Sequence, residues 1–518
     1  MWYTVCRSKS SERKKSDMLT RRFFLGGLAS AFALGPRRIF SAPPGAFTGG
    51  KPVLSFGALS DVHVCLAPGG EKLRDTYNTQ TLEAAFAWFR DNGVDAVTIA
   101  GDMAHSGLAG ELKALADAWF KVFPNDKAPD GRHVERVFVF GNHDWSSPGR
   151  AKEVFPDEKA RNDNLLVVNP RKWWDELFHE EWTPMFEKDV KGYPFIGAHW
   201  CNGGCNGKKE KFSKGMKKFY AARKTPFDPA KPFFHIQHPH PRDTVHGEKV
   251  WGQDDGVTPS ILSAYPHAIA FSGHSHTSLT DERAIWQGTF TSVGCASLRN
   301  VSQGTPGAIW LPGGLENART PKGKDYAEQN GIKAMAVTEL MNCRQGQLVR
   351  VYEDRVVFSR REFVTGAQIG DDLVMPLPAA EKKPFAFAPR AAKAVAPEYP
   401  AGAKLAVRRT TGPLRASKKK LSKKNKVDIW ELTIPAATAT PSARAGVYEV
   451  TALGADGTSK VFAMAVEGYR FPLTDPRAAA PSQFRLACSR LTASCGTFEV
   501  RAISCCGKKS APLRIAYT

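Results

Sequence analysis

The stretch Val134–Phe140 followed by Gly141-Asn142-His143-Asp144 joins an apolar run of strand length to a group of small and polar residues. The same arrangement recurs four more times between residues 53 and 276. Apolar runs of this length, bounded by such groups, indicate buried β-strands. In sheets built from alternating strands and helices, ligand and catalytic groups gather at the carboxyl ends of the strands. This repeated pattern therefore decides the fold and points to a site.

The five runs and the groups that follow them define the expected architecture. The other four runs are Val53–Leu59, Val94–Ala100, Phe233–Gln237 and Ala268–Ser272. Two intervening segments carry apolar residues at helical spacing, Thr81–Phe89 and Leu108–Phe123. Alternating strands and helices predict an α/β fold. The five polar groups are Asp61-Val62-His63, Gly101-Asp102, Gly141-Asn142-His143-Asp144, His238 and Gly273-His274-Ser275-His276.

A single group of this kind would be ordinary loop polarity, but five of them at strand ends predict a shared site. They offer carboxylate, imidazole and carboxamide ligands, which suit divalent or trivalent first-row metals better than Mg or Ca alone. The set is large enough for two ions if one carboxylate bridges them. Two ions about 3.5–4 Å apart can hold both the attacking and the leaving oxygen of an in-line displacement at phosphorus.

The order and identity of the five groups resemble the calcineurin-like metallophosphoesterase family over about residues 50–300. The resemblance implies a four-layer αββα sandwich that hydrolyses phosphomonoesters or phosphodiesters by in-line attack of a metal-bridging hydroxide. It also implies two transition-metal ions, either Fe, Mn or Zn. By motif, Asp102 would bridge the two ions. The other ligands would be Asp61, His63 and His276 for the first ion, and Asn142, His238 and His274 for the second.

The resemblance assigns roles to two further residues. His143 would stabilise the transition state or protonate the leaving oxygen, and Asp144 would orient His143 or its loop. Two positions depart from the family pattern. The fourth group offers both His238 and His240; His238 is favoured because it directly follows the strand, and His240 stays open. His105 stands where purple acid phosphatases carry a metal-binding Tyr, so we expect it to line the pocket without binding metal.

Other polar residues near these groups have two readings each. His235 should lie inside its strand as a core histidine, and Cys65 should be a small core residue. His199 ends an apolar run and could face the cleft or serve as a hydrogen-bonded structural group. The loop before the fifth group could shape the substrate pocket or cap a turn, through Trp251, Asp254 and Asp255.

The N-terminal segment resembles a twin-arginine export signal. Thr20-Arg21-Arg22-Phe23-Phe24-Leu25 precedes an apolar stretch that ends at Leu34. This stretch is shorter than the roughly 20 residues that span a bilayer, and no later segment qualifies. We therefore expect residues 1–42 to be an export signal, with no transmembrane domain beyond it and a periplasmic or extracellular location. Cleavage near Ala42 is weakly marked, so a retained N-terminal anchor stays open.

Composition divides the rest of the chain into three parts. Residues 43–378 form the expected metallophosphoesterase domain, and residues 379–400 are rich in Ala, Pro and Lys and predict a linker. Residues 401–518 predict a small β-sandwich, whose closing segment resembles the last hairpin of a fibronectin type III domain. Its strand-like runs are Ala403–Arg408, Val427–Ile434, Val447–Leu453, Lys460–Val466, Thr497–Ile503 and Leu513–Tyr517.

The charge of the chain favours an anionic partner. The formal net charge is +21; nine Lys/Arg and two Asp/Glu in residues 1–42 account for +7, which leaves +14. Such an excess suits a phosphoester substrate, nucleic acid or an anionic surface polymer. The basic runs Lys208–Lys224 and Arg415–Lys426 lack the aromatic interleaving of a base-stacking groove, so solvated loops are favoured over a nucleic-acid site.

Two alternatives to a phosphoesterase of small substrates stay open. One is a secreted nuclease, which the basic charge favours. The other is an exported surface-binding protein, in which the β-sandwich binds a surface polymer or a protein and the phosphoesterase-like domain is a non-catalytic scaffold. An intact ligand set argues against the scaffold, although a fold alone does not establish function.

Overall fold

The computed structural model describes residues 50–145, 148–201, 212–248, 252–303, 308–311, 314–317, 338–340, 343–413, 426–437, 445–465, 483–489, 491 and 493–518. The predicted export signal therefore lies outside the described residues, as do Trp251 and parts of both basic runs. Within these ranges, no helix combines the length and the apolar character needed to cross a membrane.

In the described residues between 54 and 303, helices and strands are interspersed, and strands dominate in the described residues thereafter. The helices are α1 (Tyr77–Asp91), α2 (Ala109–Val122), α3 (Asn142–Trp145), α4 (Pro148–Val154), α5 (Glu158–Asn164), α6 (Pro170–Phe178), α7 (Phe212–Ala222), α8 (Val257–Leu262) and α9 (Phe387–Lys393). The strands up to residue 303 are β1 (Leu54–Leu59), β2 (Ala96–Ala100), β3 (Glu135–Val139), β4 (Met185–Val190), β5 (Tyr193–Ala198), β6 (Phe233–Gln237), β7 (Ala268–Ser272), β8 (Ile285–Gln287), β9 (Thr291–Gly294) and β10 (Val301–Gln303).

The later strands are β11 (Ala308–Leu311), β12 (Gly314–Asn317), β13 (Thr338–Leu340), β14 (Gln345–Val351), β15 (Arg355–Glu362), β16 (Leu373–Pro376), β17 (Ala406–Pro413), β18 (Lys426–Pro435), β19 (Ala445–Gly454), β20 (Ser459–Ala465), β21 (Gln483–Ser489), β22 (Gly496–Ser504) and β23 (Leu513–Tyr517). Of these strands, β14–β16 complete one sheet of the first domain, β17–β23 build the C-terminal region, and β11–β13 lie in two short two-stranded sheets, β11-β12 and β10-β13.

Two six-stranded sheets form the first domain. The first has the order β16-β15-β14-β1-β2-β3, and β1, β2 and β3 run parallel. The second has the order β4-β5-β6-β7-β9-β8, with β5, β6, β7 and β9 parallel and antiparallel strands at both edges. All five predicted strands are present, and all lie in the parallel parts of the two sheets. The predicted α/β fold is confirmed.

The two sheets pack face to face around an aromatic core. The ring of Phe56 on β1 is fully buried and makes edge contacts with Phe195, Phe234 and Phe271 of the second sheet, with ring centroids 5.1, 4.8 and 5.5 Å apart. Because both faces of these strands are covered, their sequences are continuous apolar runs and do not alternate. The core thus fixes the relative position of the strand ends that carry the five polar groups.

Helices cover the outer face of each sheet, which gives the four layers of an αββα metallophosphoesterase fold. On the first sheet, α1 buries Leu82, Phe86 and Phe89, which lie on one face at helical spacing. On the second sheet, α7 and α8 bury side chains such as Met216 and Leu262 against β6 and β7.

The C-terminal region contains two further sheets, in the orders β17-β18-β21 and β20-β19-β22-β23. Buried side chains from both sheets share one core, among them Trp430 and Leu432 from one and Tyr448 and Phe498 from the other. This region is consistent with the predicted β-sandwich. Strand β21 is not among the predicted strands. The six predicted strand-like runs each overlap a strand, although Ala403–Arg408 shares only its last three residues with β17. The resemblance to a fibronectin type III domain stays a prediction.

The segment 379–400, for which composition predicts a linker, is packed against the first domain along much of its length. Ala379 and Phe385 are buried in the core between the two sheets. The Phe385 amide donates to Gln287 Oε1 at 3.0 Å, and Arg390 on α9 donates to the Ile285 carbonyl at 2.8 Å. The buried aromatic ring explains this packing, which the overall Ala, Pro and Lys content does not indicate.

We expect Phe56→Ala to lower the free energy of unfolding by about 3–5 kcal/mol, because it opens a cavity between the two sheets. Urea denaturation followed by tryptophan fluorescence measures this change. The matched control is Val168→Ala, whose side chain is 51% exposed and whose effect should stay within about 0.5 kcal/mol. A loss below about 1 kcal/mol for Phe56→Ala would contradict the placement of this ring.

Candidate metal centre

All seven predicted ligands lie at the carboxyl ends of strands, where the two sheets meet. The first sheet supplies the ligands that follow β1, β2 and β3, and the second supplies those that follow β6 and β7. The two sheets therefore face each other across one site, as the sequence predicts. In chain order the ligands are Asp61, His63, Asp102, Asn142, His238, His274 and His276.

The first cluster contains Asp61, His63 and His276. His276 Nε2 lies 3.0 Å from Asp61 Oδ1 and 3.1 Å from His63 Nε2. His63 Nε2 lies 3.6 Å from Asp61 Oδ1. Three potential ligand atoms thus surround one point, although 213 residues separate His63 from His276.

The second cluster contains Asp102, His238 and His274, whose potential ligand atoms lie within 4.8 Å of one another. Asn142 joins it, because its Oδ1 lies 3.0 Å from His238 Nε2. Asp102 Oδ2 is 3.3 Å from His238 Nε2 and 3.6 Å from His63 Nε2. One carboxylate oxygen therefore stands between the two clusters, which is where a bridging ligand must lie.

The donor atoms fit transition-metal ions in their spacing as well as in their chemistry. Metal–ligand bonds of about 2.0–2.2 Å place neighbouring ligand atoms roughly 3.0–3.6 Å apart. Asp61 Oδ1 is buried and has no well-aligned hydrogen bond, although His276 Nε2 lies 3.0 Å away. A buried carboxylate oxygen without such a partner is costly unless a cation or proton donor satisfies it. The residues present can therefore hold two ions.

The electrostatics of the two carboxylates lead to the same conclusion. Burial opposes their ionisation, but nearby imidazoles outweigh it and lower the pKa of Asp61 and of Asp102. Burial lowers the pKa of His238, yet Asp102 overcomes that effect and raises it to about 9. Two buried carboxylates thus require positive charge beside them, and bound metal ions can provide it in place of imidazolium.

Backbone carbonyls orient two of the histidine ligands. His238 Nδ1 lies 2.7 Å from the Ala100 carbonyl, and His276 Nδ1 lies 3.0 Å from the Asn300 carbonyl. A carbonyl only accepts, so each Nδ1 carries a proton in these contacts, and a bound metal ion would take the Nε2 position that faces the site. Such contacts are the usual supports of metal-binding histidines.

Asp144 holds together two of the loops that carry ligands. Its carboxylate accepts hydrogen bonds from the backbone amides of Met103 at 3.2 Å, Ala104 at 2.6 Å and Gly141 at 2.7 Å. Burial, reinforced by the charge of Asp102, raises its pKa to about 8. Asp144 therefore ties the loop after β2 to the turn that leads into α3, the helix that carries His143.

His143 lies beside both clusters. Its Nε2 is 4.0 Å from Asp102 Oδ2, and its amide donates to Asp102 Oδ1 at 2.7 Å. Its Nδ1 lies 2.8 Å from the His105 carbonyl and 3.1 Å from Arg150 Nη1. Burial lowers the pKa of His143 to about 4, so the metal-free protein holds a neutral ring near neutral pH.

Several of the ligands occupy backbone conformations that are unfavourable for their residue type. A non-glycine residue at φ near +55° costs about 1–2 kcal/mol and tends to occur at functional sites. A loop without a function would place glycine at such positions and avoid this cost. The strained backbone of the ligands therefore points to a functional site. The ligands with positive φ are Asp61, His63, Asp102, His274 and His276, with values between 51° and 71°.

Close approach explains two of the glycines in the motifs. A Cβ on Gly141 would lie 2.2 Å from Asp102 Oδ1. A Cβ on Gly273 would lie 1.8 Å from Ser60 Oγ and 2.4 Å from Asp61 Oδ2. Both contacts are too short for any side chain, so these glycines let the loops reach the carboxylates.

The two candidates of the fourth group occupy different environments. His238 lies in the second cluster, whereas both ring nitrogens of His240 contact serine hydroxyls, those of Ser272 and Ser275, at 2.7 Å. His240 has no free nitrogen for an ion. His235 is buried inside β6, and its ring nitrogens contact the Tyr220 hydroxyl and Gln237 Oε1 at 2.9 Å.

Two further histidines that the sequence singles out lie in different places, one in the core and one in the pocket. His199 is buried and its Nδ1 accepts from the Phe140 amide at 2.9 Å, which makes it structural. His105 lies within ligand distance of His63 and His143, so its ring lines the pocket. Arg299 Nη1 lies 3.0 Å from His105 Nδ1, and this contact occupies that nitrogen.

The other residues singled out from the sequence have structural roles. Asp254 accepts from the Gly256 and Thr258 amides, and Asp255 accepts from the Val257 amide, so both cap the turn before α8. Cys65 is buried, and burial raises the pKa of its thiol to about 11.

Two arginines at the site do not stand out in the sequence: Arg150, which contacts His143, and Arg299, which contacts His105. Arg150 lies on α4, shortly after the third group. Arg299 follows β9, a short parallel strand whose end lies at the same edge of the second sheet. Polar residues that follow parallel strands are candidates for the site. Arg299 would have been such a candidate if β9 had been predicted from the sequence.

A family comparison agrees with this geometry. Residues 54–278 match the model of the calcineurin-like phosphoesterase family. The match spans the strands that carry the five polar groups. The matched segment contains all seven candidate ligands, together with His143 and Asp144.

Several solved structures are similar to the chain at low identity. A dimetal phosphatase from Danio rerio is 12% identical, with 63% of this chain and 99% of that chain covered and a TM-score of 0.33. A purple acid phosphatase from yellow lupin seeds is 12% identical, with 62% and 53% covered and a TM-score of 0.36. Vps29 from Entamoeba histolytica, solved with Zn, is 7% identical, with 62% and 99% covered and a TM-score of 0.25. No curated protein sequence matches the chain.

We expect Gly273→Ala to reduce metal binding at least about tenfold, because the added Cβ must displace Asp61 or Ser60. Elemental analysis and metal titration of the purified variant check this. The matched control is Gly215→Ala on α7, where nothing lies within 4 Å of the added Cβ. That change should leave metal content intact and stabilise the helix by up to about 1 kcal/mol. Equal metal affinity in the two variants would show that the Gly273 loop does not approach the ligands.

Proposed function

We propose that the protein is a hydrolase of phosphate esters that uses two metal ions. The observation that carries the proposal is the position of Asp102, whose Oδ2 lies 3.6 Å from His63 of one cluster and 3.3 Å from His238 of the other. A carboxylate shared by two clusters is the arrangement that a pair of ions requires. A structural metal site would need one closed cluster only.

The residues divide the work of the reaction between them. When bound, two divalent or trivalent transition-metal ions such as Fe, Mn or Zn would supply an activated hydroxide and neutralise the charge of the phosphate oxygens. The two clusters hold these ions from opposite sheets. The substrate is an anionic phosphoester, and the excess of basic residues favours its approach.

His143 is placed to manage a proton at the leaving oxygen. With Arg150 donating to its Nδ1, the neutral ring carries its proton on Nε2 and can give it to a leaving group. With Nδ1 donating to the His105 carbonyl, Nε2 accepts instead. Both partners lie within reach of Nδ1, at 3.1 and 2.8 Å, so the ring can exchange between the two tautomers.

We include export by the twin-arginine route in this proposal, on the basis of the motif at residues 20–25. A periplasmic or extracellular phosphoesterase that carries bound metal suits a route used by folded proteins. The β-sandwich of residues 401–518 would then be available to bind a surface polymer or a protein partner.

The direct test combines elemental analysis with an aryl phosphate panel of monoesters and diesters. We expect about two transition-metal ions per chain and hydrolysis of at least one ester class. Chelation should lower the rate by at least about a hundredfold, and added metal should restore it. A metal-loaded protein that hydrolyses neither class would support the non-catalytic scaffold, and preference for polynucleotides with steep salt dependence would support a nuclease.

Two substitutions separate metal binding from proton transfer. Asp102→Asn should lower metal content and activity together, because it removes the bridging charge. His143→Ala should keep both ions but lower kcat about 10²–10⁴-fold. The matched control is His133→Ala, whose side chain is 57% exposed and whose rate should be unchanged. Loss of metal from His143→Ala would contradict the role given to this ring.

A further inference from the structure

Arg299 brings a positive charge to the edge of the candidate metal centre. Its Nη1 lies 3.0 Å from His105 Nδ1, and the His105 ring lies beside His63 of the first cluster, with centroids 5.7 Å apart. In the described part of the chain, no carboxylate lies within the 4.0 Å ion-pair distance of the Arg299 guanidinium. Arg299 is partly exposed. Its charge is therefore available to an anion that enters the site.

The backbone that carries Arg299 is fixed to the first ligand loop. The Arg299 amide lies 3.1 Å from the Asp61 carbonyl and 3.0 Å from Ser297 Oγ. The neighbouring Leu298 amide donates to the Ser60 carbonyl at 3.1 Å. Ser297 Oγ also donates to the Asp61 carbonyl at 3.0 Å. These bonds hold the arginine in register with Asp61, which is the preorganisation that a binding group needs.

A second arginine stands on the same side of the site. Arg150 Nη1 lies 3.1 Å from His143 Nδ1, and the rings of His143 and His105 are 5.2 Å apart. Two guanidinium groups thus flank the pair of imidazoles that are not assigned as ligands. Beside the second cluster, the centroid of the Trp200 ring lies 6.0 Å from that of His274 and 6.3 Å from that of His238. The site is therefore cationic on one side and aromatic on the other.

We propose that Arg299, flanked by Arg150, forms an anion subsite that binds a non-bridging oxygen of a dianionic phosphate group and so favours phosphomonoesters over phosphodiesters. This inference rests on the proposed phosphoesterase function and names its substrate class. Guanidinium donors match phosphate oxygens in a two-pronged geometry. A monoester carries about −1.5 to −2 charges at neutral pH, so it gains more from an added cation than a diester with one charge.

The test compares Arg299→Gln with wild type on an aryl phosphate monoester and on the matching diester. Arg299→Gln should lower kcat/KM for the monoester roughly tenfold to a hundredfold, and for the diester less than about threefold. The dissociation constant of inorganic phosphate, measured by calorimetry on the metal-loaded protein, should rise at least about tenfold. Arg299→Lys keeps the charge and should recover part of both losses. The matched control Arg90→Gln, on α1 and paired with Asp91, should change neither quantity.

The phosphate measurement keeps this inference separate from the proposed function. A protein without esterase activity whose phosphate binding still depends on Arg299 would refute the proposed hydrolysis and leave the subsite standing. Equal losses for monoester and diester, or unchanged phosphate binding in Arg299→Gln with normal metal content, would overturn the subsite. Either of those results would leave Arg299 as a support of His105 only.

Discussion

The burial of two carboxylates, Asp61 and Asp102, at the edge where two sheets meet is the constraint on which the rest of the site depends. Neither side chain is more than 2% exposed. Isolated buried carboxylates are strongly unfavourable, so the surrounding structure must place positive charge within a few ångströms of them. Four imidazoles and a carboxamide surround the two carboxylates, but only His238 and His276 have a raised pKa in this environment. The fold has thus assembled a cavity whose chemistry requires cations.

The cost of this assembly is visible in the backbone around it. Five ligands adopt left-handed conformations, and glycines at 141 and 273 leave room for the approach of the carboxylates. The free-energy cost of these conformations must be offset by favourable interactions elsewhere. The aromatic core between the sheets supplies such interactions, and so does Asp144, which ties two ligand loops together. Local strain supported by a rigid scaffold is the pattern expected of a functional site.

Much of the fold and site could be predicted because each polar group directly follows a continuous apolar run. Those five runs are buried on both faces, so the sequence marks their ends clearly, and their five strands agree with the prediction within two residues at each end. Strand β21 was missed because its residues mix arginine, serine and glutamine with apolar ones. The packing of segment 379–400 does not follow from its composition, because the residues that make it, Ala379, Phe385 and Arg390, are few in a segment rich in Ala, Pro and Lys.

The choice between His238 and His240 shows where sequence reasoning ends. Both stand beside prolines after the same strand, and only the two serine hydroxyls around His240 distinguish them. Arg299 escaped notice for a related reason, since its importance depends on the contact with His105, 194 residues away. Pairings between distant loops are set by tertiary packing and leave no local signal in the chain.

The most direct test of this account is an anomalous X-ray scattering map of the metal-loaded protein. The account predicts two peaks roughly 3.5–4 Å apart, one bounded by Asp61, His63 and His276 and the other by Asn142, His238 and His274, with Asp102 touching both. A single peak, or peaks that lie away from Asp102, would contradict it.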